Sequence, residues 1–391
     1  MTTDRASPPA AAPTRALRTL LGGRGVSAFL REFWHKEALA IRGAMPGFGG
    51  LFTARELFAL AARDNVESRL VVRDGAHWSF EHGPFRAAAL RALPPRDWTL
   101  LVQGVNLHSA AADRLLRRFS FLPYARLDDL MVSYAVPGGG VGPHFDSYDV
   151  FLLQGFGHRR WRYGRQDDLR LKPRLPVKIL RRFHPEHDLV FAPGDLLYLP
   201  PHYAHDGVAV DTCTTYSIGF RAASANDVAS AFLDFLRDEL ALDGRYADPD
   251  LRPGREPARI SAPMQRRYAR MLKAVRWDRR TVARFLGTWL SEPKPTVFFD
   301  PPVAPRSRAA FRARAARAGI RLDVRTQLLY DSDCLFINGD AQPWPDAGAS
   351  ALQRLANDRA LDGETVGALP ATTVGLLHGW YRDGYLHLES P

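Results

Sequence analysis

The chain has 391 residues, 46% of them hydrophobic and 24% charged, with a formal net charge of +11. That length allows two or three domains with sizeable cores, and no apolar run reaches the roughly 18 residues of a membrane-spanning helix, so no membrane partner is expected. Two distant cysteines, Cys213 and Cys334, exclude a disulfide framework or a cysteine-rich zinc module and fit a reducing cytoplasm.

The first stretch, "MTTDRASPPAAAPTRALRTLLGGRG", lacks the apolar core of a secretory signal. Its Pro/Ala content predicts a disordered lead over residues 1–25, with organelle targeting as the weaker alternative. From Val26, "VSAFLREFWHKEALAI" carries apolar residues at helical spacing, and residues 55–62 read the same way. Short β-like runs follow: "SRLVVRD", "HWSFEHG" and "WTLLVQGV". Between 129 and 220 strands and Gly/Pro turns alternate ("DLMVSYAV", "YDVFLLQG", "RRWRYG", "DLVFAPGDLLYLP", "CTTYSIGF"), the rhythm of a sandwich, jelly roll or barrel.

Past Phe220 the period becomes helical in "ANDVASAFLDFLRDELA", "MQRRYARMLKAV" and "RTVARFLGTWLS". Appended helices of this kind serve packing or dimerisation. The proline-rich "SEPKPTVFFDPPVAPRS" (291–307) reads as a linker. Helices expected at 307–318, 348–357 and 371–383, with strands in "QLLYDSD", "CLFING" and "YLHLE", make a small winged-helix-like module. The expected division is therefore an α+β chain. It has a lead over 1–25, a β-domain with N-terminal helices over 26–222, a helical segment over 223–292 and a winged-helix-like domain over 293–391.

The basic excess has two readings. Of the 53 basic residues 48 are Arg and 5 are Lys, which fits GC-rich codon usage. Clusters at Arg279/Arg280 and in "RSRAAFRARAARAGIR" (306–321) instead suit contact with an anionic partner such as rRNA, in docking rather than in chemistry.

The chemistry concentrates in "GGGVGPHFDSYDVFLLQG" (138–155). Residues i and i+2 of a strand share a face, so His144 and Asp146 converge, with Tyr148 in phase behind them. One imidazole and one carboxylate form two-thirds of a facial triad, and two His plus one carboxylate with open positions is the Fe(II) site of non-haem oxygenases. A third ligand is available in "APGDLLYLPPHYAHDGV", either His202 in the turn or His205 opening the next strand; His205 is preferred because a strand holds it more rigidly. Such a site needs an oxygen-activating co-substrate, in this architecture 2-oxoglutarate, whose distal carboxylate needs a fixed cation. In "GHRRWRYG" alternation puts Arg159 and Trp161 on one face and Arg160 and Arg162 on the other, which favours Arg159. No G-x-S-x-G elbow or phosphate-binding loop supports a hydrolase or nucleotide-triphosphatase.

Three segments, "DDLMVSYAVPGGGVGPHFDSYDVFLLQGFGHRRWRYG", "PGDLLYLPPHYAHDG" and "YSIGFRA", resemble the bacterial JmjC-domain ribosomal oxygenases, of the ribosomal protein arginine 3-hydroxylase type. The likeness is dense over 26–240 and thinner to the end. It implies a JmjC/cupin double-stranded β-helix, a helical dimerisation segment and a C-terminal winged helix. It also implies an Fe(II)- and 2-oxoglutarate-dependent enzyme that uses dioxygen to hydroxylate the β-carbon of an arginine in the large-subunit ribosomal protein uL16. Carried over, His144, Asp146 and His205 are the iron ligands and catalytic residues, Arg159 binds 2-oxoglutarate, and Tyr148 is a candidate substrate contact. Departures from the family pattern are Phe145 between the first two ligands, His158 at a basic position, and Thr215 where an amide is usual. The competing expectations are a histidine hydroxylase acting on another ribosomal protein, and a non-catalytic cupin-like module that grips RNA or protein.

Overall fold

The computed structural model describes residues 15–389, apart from 76 and 254. The first elements are α1 (Arg15–Leu20), α2 (Val26–Glu32), β1 (Leu39–Ile41), α3 (Ala54–Ala61), β2 (Ser68–Asp74), β3 (His77–His82), α4 (Ala87–Arg91), β4 (Trp98–Val102) and α5 (Ala110–Arg117). Then come β5 (Leu127–Ala135), β6 (His144–Phe145), β7 (Val150–Gln154), β8 (Arg159–Gly164), β9 (His187–Phe191), β10 (Leu196–Leu199), β11 (Ala204–Ala209) and β12 (Cys213–Phe220). They form an eight-stranded antiparallel sheet, in the order β1-β10-β7-β12-β5-β4-β2-β3, and a four-stranded one, β6-β11-β8-β9. The chain passes repeatedly between the two sheets, the path of the expected double-stranded β-helix.

Burial on both faces explains the continuous apolar runs of β7 ("VFLLQ") and β10 ("LLYL"). Val150, Leu152, Leu197 and Leu199 face the small sheet and pack with Trp161, Tyr163 and Phe191. Phe151, Leu153 and Tyr198 face outward into a second core, which α2, α3 and α5 close with Phe29, Leu57, Phe58, Leu115 and Leu116. The Phe29 ring stands 5.6 Å from that of Phe151 and 5.0 Å from that of Tyr198. Burying each such side chain contributes roughly 1.5–3 kcal/mol. The helices thus stiffen the large sheet from outside and leave its inner face to the functional cavity.

Two expectations need correction here. The lead expected to be disordered over 1–25 is helical at Arg15–Leu20 and buries Leu20 and Leu21; residues 1–14 lie outside the described residues. The helix expected through Ile41 stops at Glu32. His35 then takes φ +59°, its N–H bonds the Tyr198 hydroxyl at 2.9 Å, and Leu39–Ile41 extends the large sheet beside β10. Sheet pairing, a tertiary contact, overrides a local helical period there.

Beyond β12 lie α6 (Ala225–Glu239), α7 (Ala262–Leu272), α8 (Arg279–Ser291), α9 (Arg308–Ala318), β13 (Ile320–Leu322), β14 (Leu328–Tyr330), β15 (Cys334–Ile337), β16 (Asp340–Pro343), α10 (Ala349–Asp358), β17 (Ala360–Leu361), α11 (Gly363–Gly367), α12 (Ala371–Arg382) and β18 (Leu386–Leu388). Side-chain caps at Ser224, Ser261, Asp278 and Ser307 start α6, α7, α8 and α9. Helices α9–α12 and the sheet β17-β13-β18 enclose their own core of Phe311, Leu352, Leu377 and Trp380. The meander β14-β15-β16 lies against α8, where the Phe336 ring fills the space a side chain on Gly287 would need.

Candidate active site

Strands β6 and β11 pair antiparallel with His144 directly opposite His205. The register therefore sets the two imidazoles side by side, ring centroids 4.2 Å apart. Asp146, two positions on, returns to that face with Oδ2 3.7 Å from His205 Nε2. One donor atom from each of the three lies within 4.8 Å of the others. His202 does not join them. It occupies the turn at φ +66°, its ring beside Phe145, while its N–H donates to the Asp146 carbonyl at 2.8 Å and so holds the backbone of that carboxylate.

Backbone carbonyls orient both rings. His144 Nδ1 is 2.9 Å from the Gly142 carbonyl and His205 Nδ1 is 3.1 Å from that of Tyr203. A nitrogen that donates to a carbonyl carries the proton, which leaves each Nε2 lone pair free to ligate. His205 is buried, and that burial, then the neighbouring His144, push its pKa down to about 4 against the weaker pull of Asp146 and the Tyr203 carbonyl. At neutral pH it is an uncharged imidazole, the ligating form.

These residues open onto a cavity of about 450 Å³ between the sheets. Arg159 lines it and is 4% exposed. Its Nε has no hydrogen-bond partner, its Nη2 reaches only Cys213 Sγ at 3.7 Å, and no described carboxylate pairs with it. Arg160 and Arg162 point to the other side and pair with Asp188 and Asp206. An uncompensated buried guanidinium costs several kcal/mol, so this one calls for an anion inside the cavity. The donor set and the orphaned cation together fit a metal and a dicarboxylate co-substrate. Tyr148 also lines the cavity, 40% exposed; burial of its hydroxyl and the nearby Asp146 carboxylate push its pKa up, so it is a protonated donor.

A JmjC domain model matches residues 114–228, and a ROXA-like winged-helix model matches residues 274–387. The ribosomal protein uL16 3-hydroxylase of Escherichia coli K12 is 32% identical over 92% of this chain and 97% of its own length. The chain belongs to the JmjC-domain ribosomal oxygenases. Two solved structures of the E. coli ribosomal oxygenase YcfD are similar throughout. One, in complex with cobalt and 2-oxoglutarate, has a TM-score of 0.79 at 30% identity and covers 93% of this chain and 98% of that one. The other, with cobalt and succinic acid, has a TM-score of 0.78 at 31% identity with the same coverage.

Where this ribosomal oxygenase departs from the family pattern, the cavity keeps its donors. Thr215 donates to the Gln154 side-chain oxygen at 3.0 Å. His158 turns to the surface and pairs with Asp211 at 2.8 Å. Phe145 sits against His202 on the far side of the strand from the three donors.

Sequence reasoning passed over a second polar group in this ribosomal oxygenase. Asp128 and Asp129, at the start of β5, both line the cavity, and Asp129 is 2% exposed. Asp129 Oδ2 accepts from Gln103 Nε2 at 2.7 Å and from Lys294 Nζ at 3.2 Å. A signal for them exists in "DDLMVSYA": Asp129, Met131 and Ser133 alternate onto the cavity face, while Leu130 and Val132 fill the outer core.

Proposed function

We propose that this ribosomal oxygenase is an Fe(II)- and 2-oxoglutarate-dependent enzyme that uses dioxygen to hydroxylate the β-carbon of an arginine in the large-subunit ribosomal protein uL16. The observation that carries the reading is a His–Asp–His donor set facing the same cavity as a buried guanidinium with no counter-ion. The relative that acts on uL16 and the neighbour that holds cobalt with 2-oxoglutarate support it.

His144, Asp146 and His205 would hold the iron, and Arg159 the distal carboxylate of 2-oxoglutarate. Ferrous iron with 2-oxoglutarate and dioxygen supplies the oxidising power to put one oxygen into a C–H bond, with succinate and carbon dioxide as co-products. The protein's own part is placement. The Gly142 and Tyr203 carbonyls keep both Nε2 atoms unprotonated and aimed. A guanidinium fork on a carboxylate fixes both position and rotation of the co-substrate. Asp129 and Asp128 give the cavity the negative charge that a cationic side chain needs once it leaves water, and Tyr148 stands at the same wall as a donor. Two carboxylates can match the charge and several N–H donors of an arginine, whereas a neutral histidine brings no charge and only a single N–H to them, which favours arginine hydroxylation over the histidine alternative. A reaction on a ribosomal protein belongs in the cytoplasm, in keeping with the sparse cysteines; among the described residues no helix is long and apolar enough to cross a membrane.

Partners follow the division of the chain. Catalysis is assigned to 26–222 and homodimerisation to 223–292, a segment that leaves Leu233, Leu272 and Trp277 between 56% and 71% exposed. The winged-helix part over 293–391 carries exposed arginines on α9 that suit rRNA. The test is to incubate the protein with Fe(II), ascorbate, 2-oxoglutarate and a uL16 peptide. Succinate should form together with one added oxygen mapped to the β-carbon of an arginine, and His144→Ala should abolish both with its circular dichroism spectrum retained. No succinate, or the oxygen on a histidine of another ribosomal protein, overturns the reading.

A further inference from the structure

Lys294 belongs to the proline-rich stretch just after α8, on the way into the winged-helix region, yet its side chain reaches back to the start of β5. Its Nζ lies 3.2 Å from Asp129 Oδ2 and 3.2 Å from Asp128 Oδ1, bridging the two carboxylates. Asp128 and Asp129 line the cavity and Lys294 does not, so the ammonium approaches the pair from behind. Gln103 Nε2 takes the same Asp129 Oδ2 at 2.7 Å, and its own oxygen is held by Arg69 Nη2 at 3.0 Å. Arg221 Nε, 3.8 Å from Asp128 Oδ1, is the other cation near the pair. Oδ2 of Asp129 is thus fully engaged, and no described residue hydrogen-bonds its Oδ1.

Two carboxylates on adjacent residues, one of them buried, repel each other and lose hydration, and both effects drive a proton onto one of them. A protonated carboxyl forms no ion pair with a guanidinium and loses the charge-assisted hydrogen bond. Burial and Asp128 push the Asp129 carboxyl up, and Lys294 is the largest opposing influence.

We propose that Lys294 is a positioning residue for the substrate: from the C-terminal side of α8 it clamps the Asp128–Asp129 pair so that the free oxygen of Asp129 faces the cavity as a carboxylate for the incoming cationic side chain. This rests on the reading of Asp129 as the counter-ion of the substrate arginine. It makes substrate recognition depend on a segment outside the β-helix, and it gives the linker a task besides joining two folds.

The experiment compares the full-length protein with its Lys294→Met, Lys294→Gln, Lys294→Arg and Asp129→Asn variants, using a uL16 arginine peptide. Peptide KM and kcat are measured by succinate formation, peptide Kd by calorimetry, and the KM for 2-oxoglutarate serves as control. Lys294→Met should raise peptide KM and Kd tenfold or more while the 2-oxoglutarate KM stays within twofold, and Lys294→Arg should restore most of the loss. Lys294→Gln keeps a hydrogen-bonding head without charge and should reproduce the loss, which reads the charge even where Met lowers the Tm. If Asp129→Asn weakens peptide binding and neither uncharged Lys294 variant does, the clamp is overturned and the counter-ion reading stands. If Asp129→Asn leaves peptide binding unchanged, the counter-ion reading falls and the clamp with it.

Discussion

On the proposed reading of Arg159 as the anchor of 2-oxoglutarate, a single residue trades stability for binding. Its guanidinium is buried without a counter-ion, and its forked donors await a carboxylate. Arg159→Met fills similar space without the charge. It should raise the Tm of the protein free of 2-oxoglutarate, since replacing an unpaired buried ion by an apolar side chain removes its desolvation cost. The same change should raise the KM for 2-oxoglutarate about 10- to 100-fold, the loss expected from charged hydrogen bonds of roughly 1.5–3 kcal/mol. Arg159→Lys should recover part of this, because an ammonium cannot fork. His205 provides a second prediction at this scale. Its pKa is about 4 in the folded protein against 6.5 unperturbed, so between those values the unfolded chain binds more protons. Its contribution to stability is full above pH 6.5 and is lost as pH falls from 6.5 to 4, by roughly 3 kcal/mol. Metal-free protein should show this as a falling Tm across that window, and His205→Asn should flatten the fall. His144 and Asp146 were legible from their two-residue spacing ahead of an apolar run, and Arg159 from its alternation with Trp161 on β8. Asp129 was passed over: the alternation in "DDLMVSYA" sets Asp129 on the face opposite Leu130, but only the folded chain shows that the one face meets a cavity and the other a helical layer.

At the scale of elements the critical piece is β6, which is two residues long and cannot fix its own register. The preceding glycine segment does so by lying against β11: the Gly138 N–H bonds the Ala209 carbonyl at 2.9 Å, and the Ala209 N–H bonds the Gly139 carbonyl at 2.9 Å. A Cβ on Gly140 would stand 2.6 Å from the Gly207 carbonyl oxygen, backbone that cannot give way. Gly140→Ala should therefore cost about 1–3 kcal/mol of stability, in the range of overpacked sites. It should also weaken metal binding by shifting His144 against His205. Urea unfolding and a metal titration would check the two parts. The contrast with residues 26–41 is instructive. Helical spacing foretold α2 and the long helices α6–α8, whose periodic faces and caps are local. It misjudged Leu39–Ile41, because an edge strand is decided by the strand it joins.

For the whole molecule, assembly turns on the helices between the β-helix and the winged helix. Leu272 and Trp277 are 71% and 56% exposed on that segment, and exposed large apolar side chains mark association surfaces where they cluster. Light scattering should find a dimer for the native chain and a monomer for the double variant Leu272→Glu/Trp277→Glu, with the fold kept. The division of labour between sequence and structure is clearest at this scale. Residue types, strand and helix periods, caps and the proline-rich break are properties of neighbours along the chain, so the sequence by itself determined the architecture and the identity of the candidate metal ligands. The register that sets His144 against His205, the burial that keeps His205 neutral and leaves Arg159 unpaired, and the bridge from Lys294 to an aspartate 165 residues away were decided by the tertiary structure alone. Each depends on distance and dielectric between groups that only folding brings together, and no pattern along the chain encodes either.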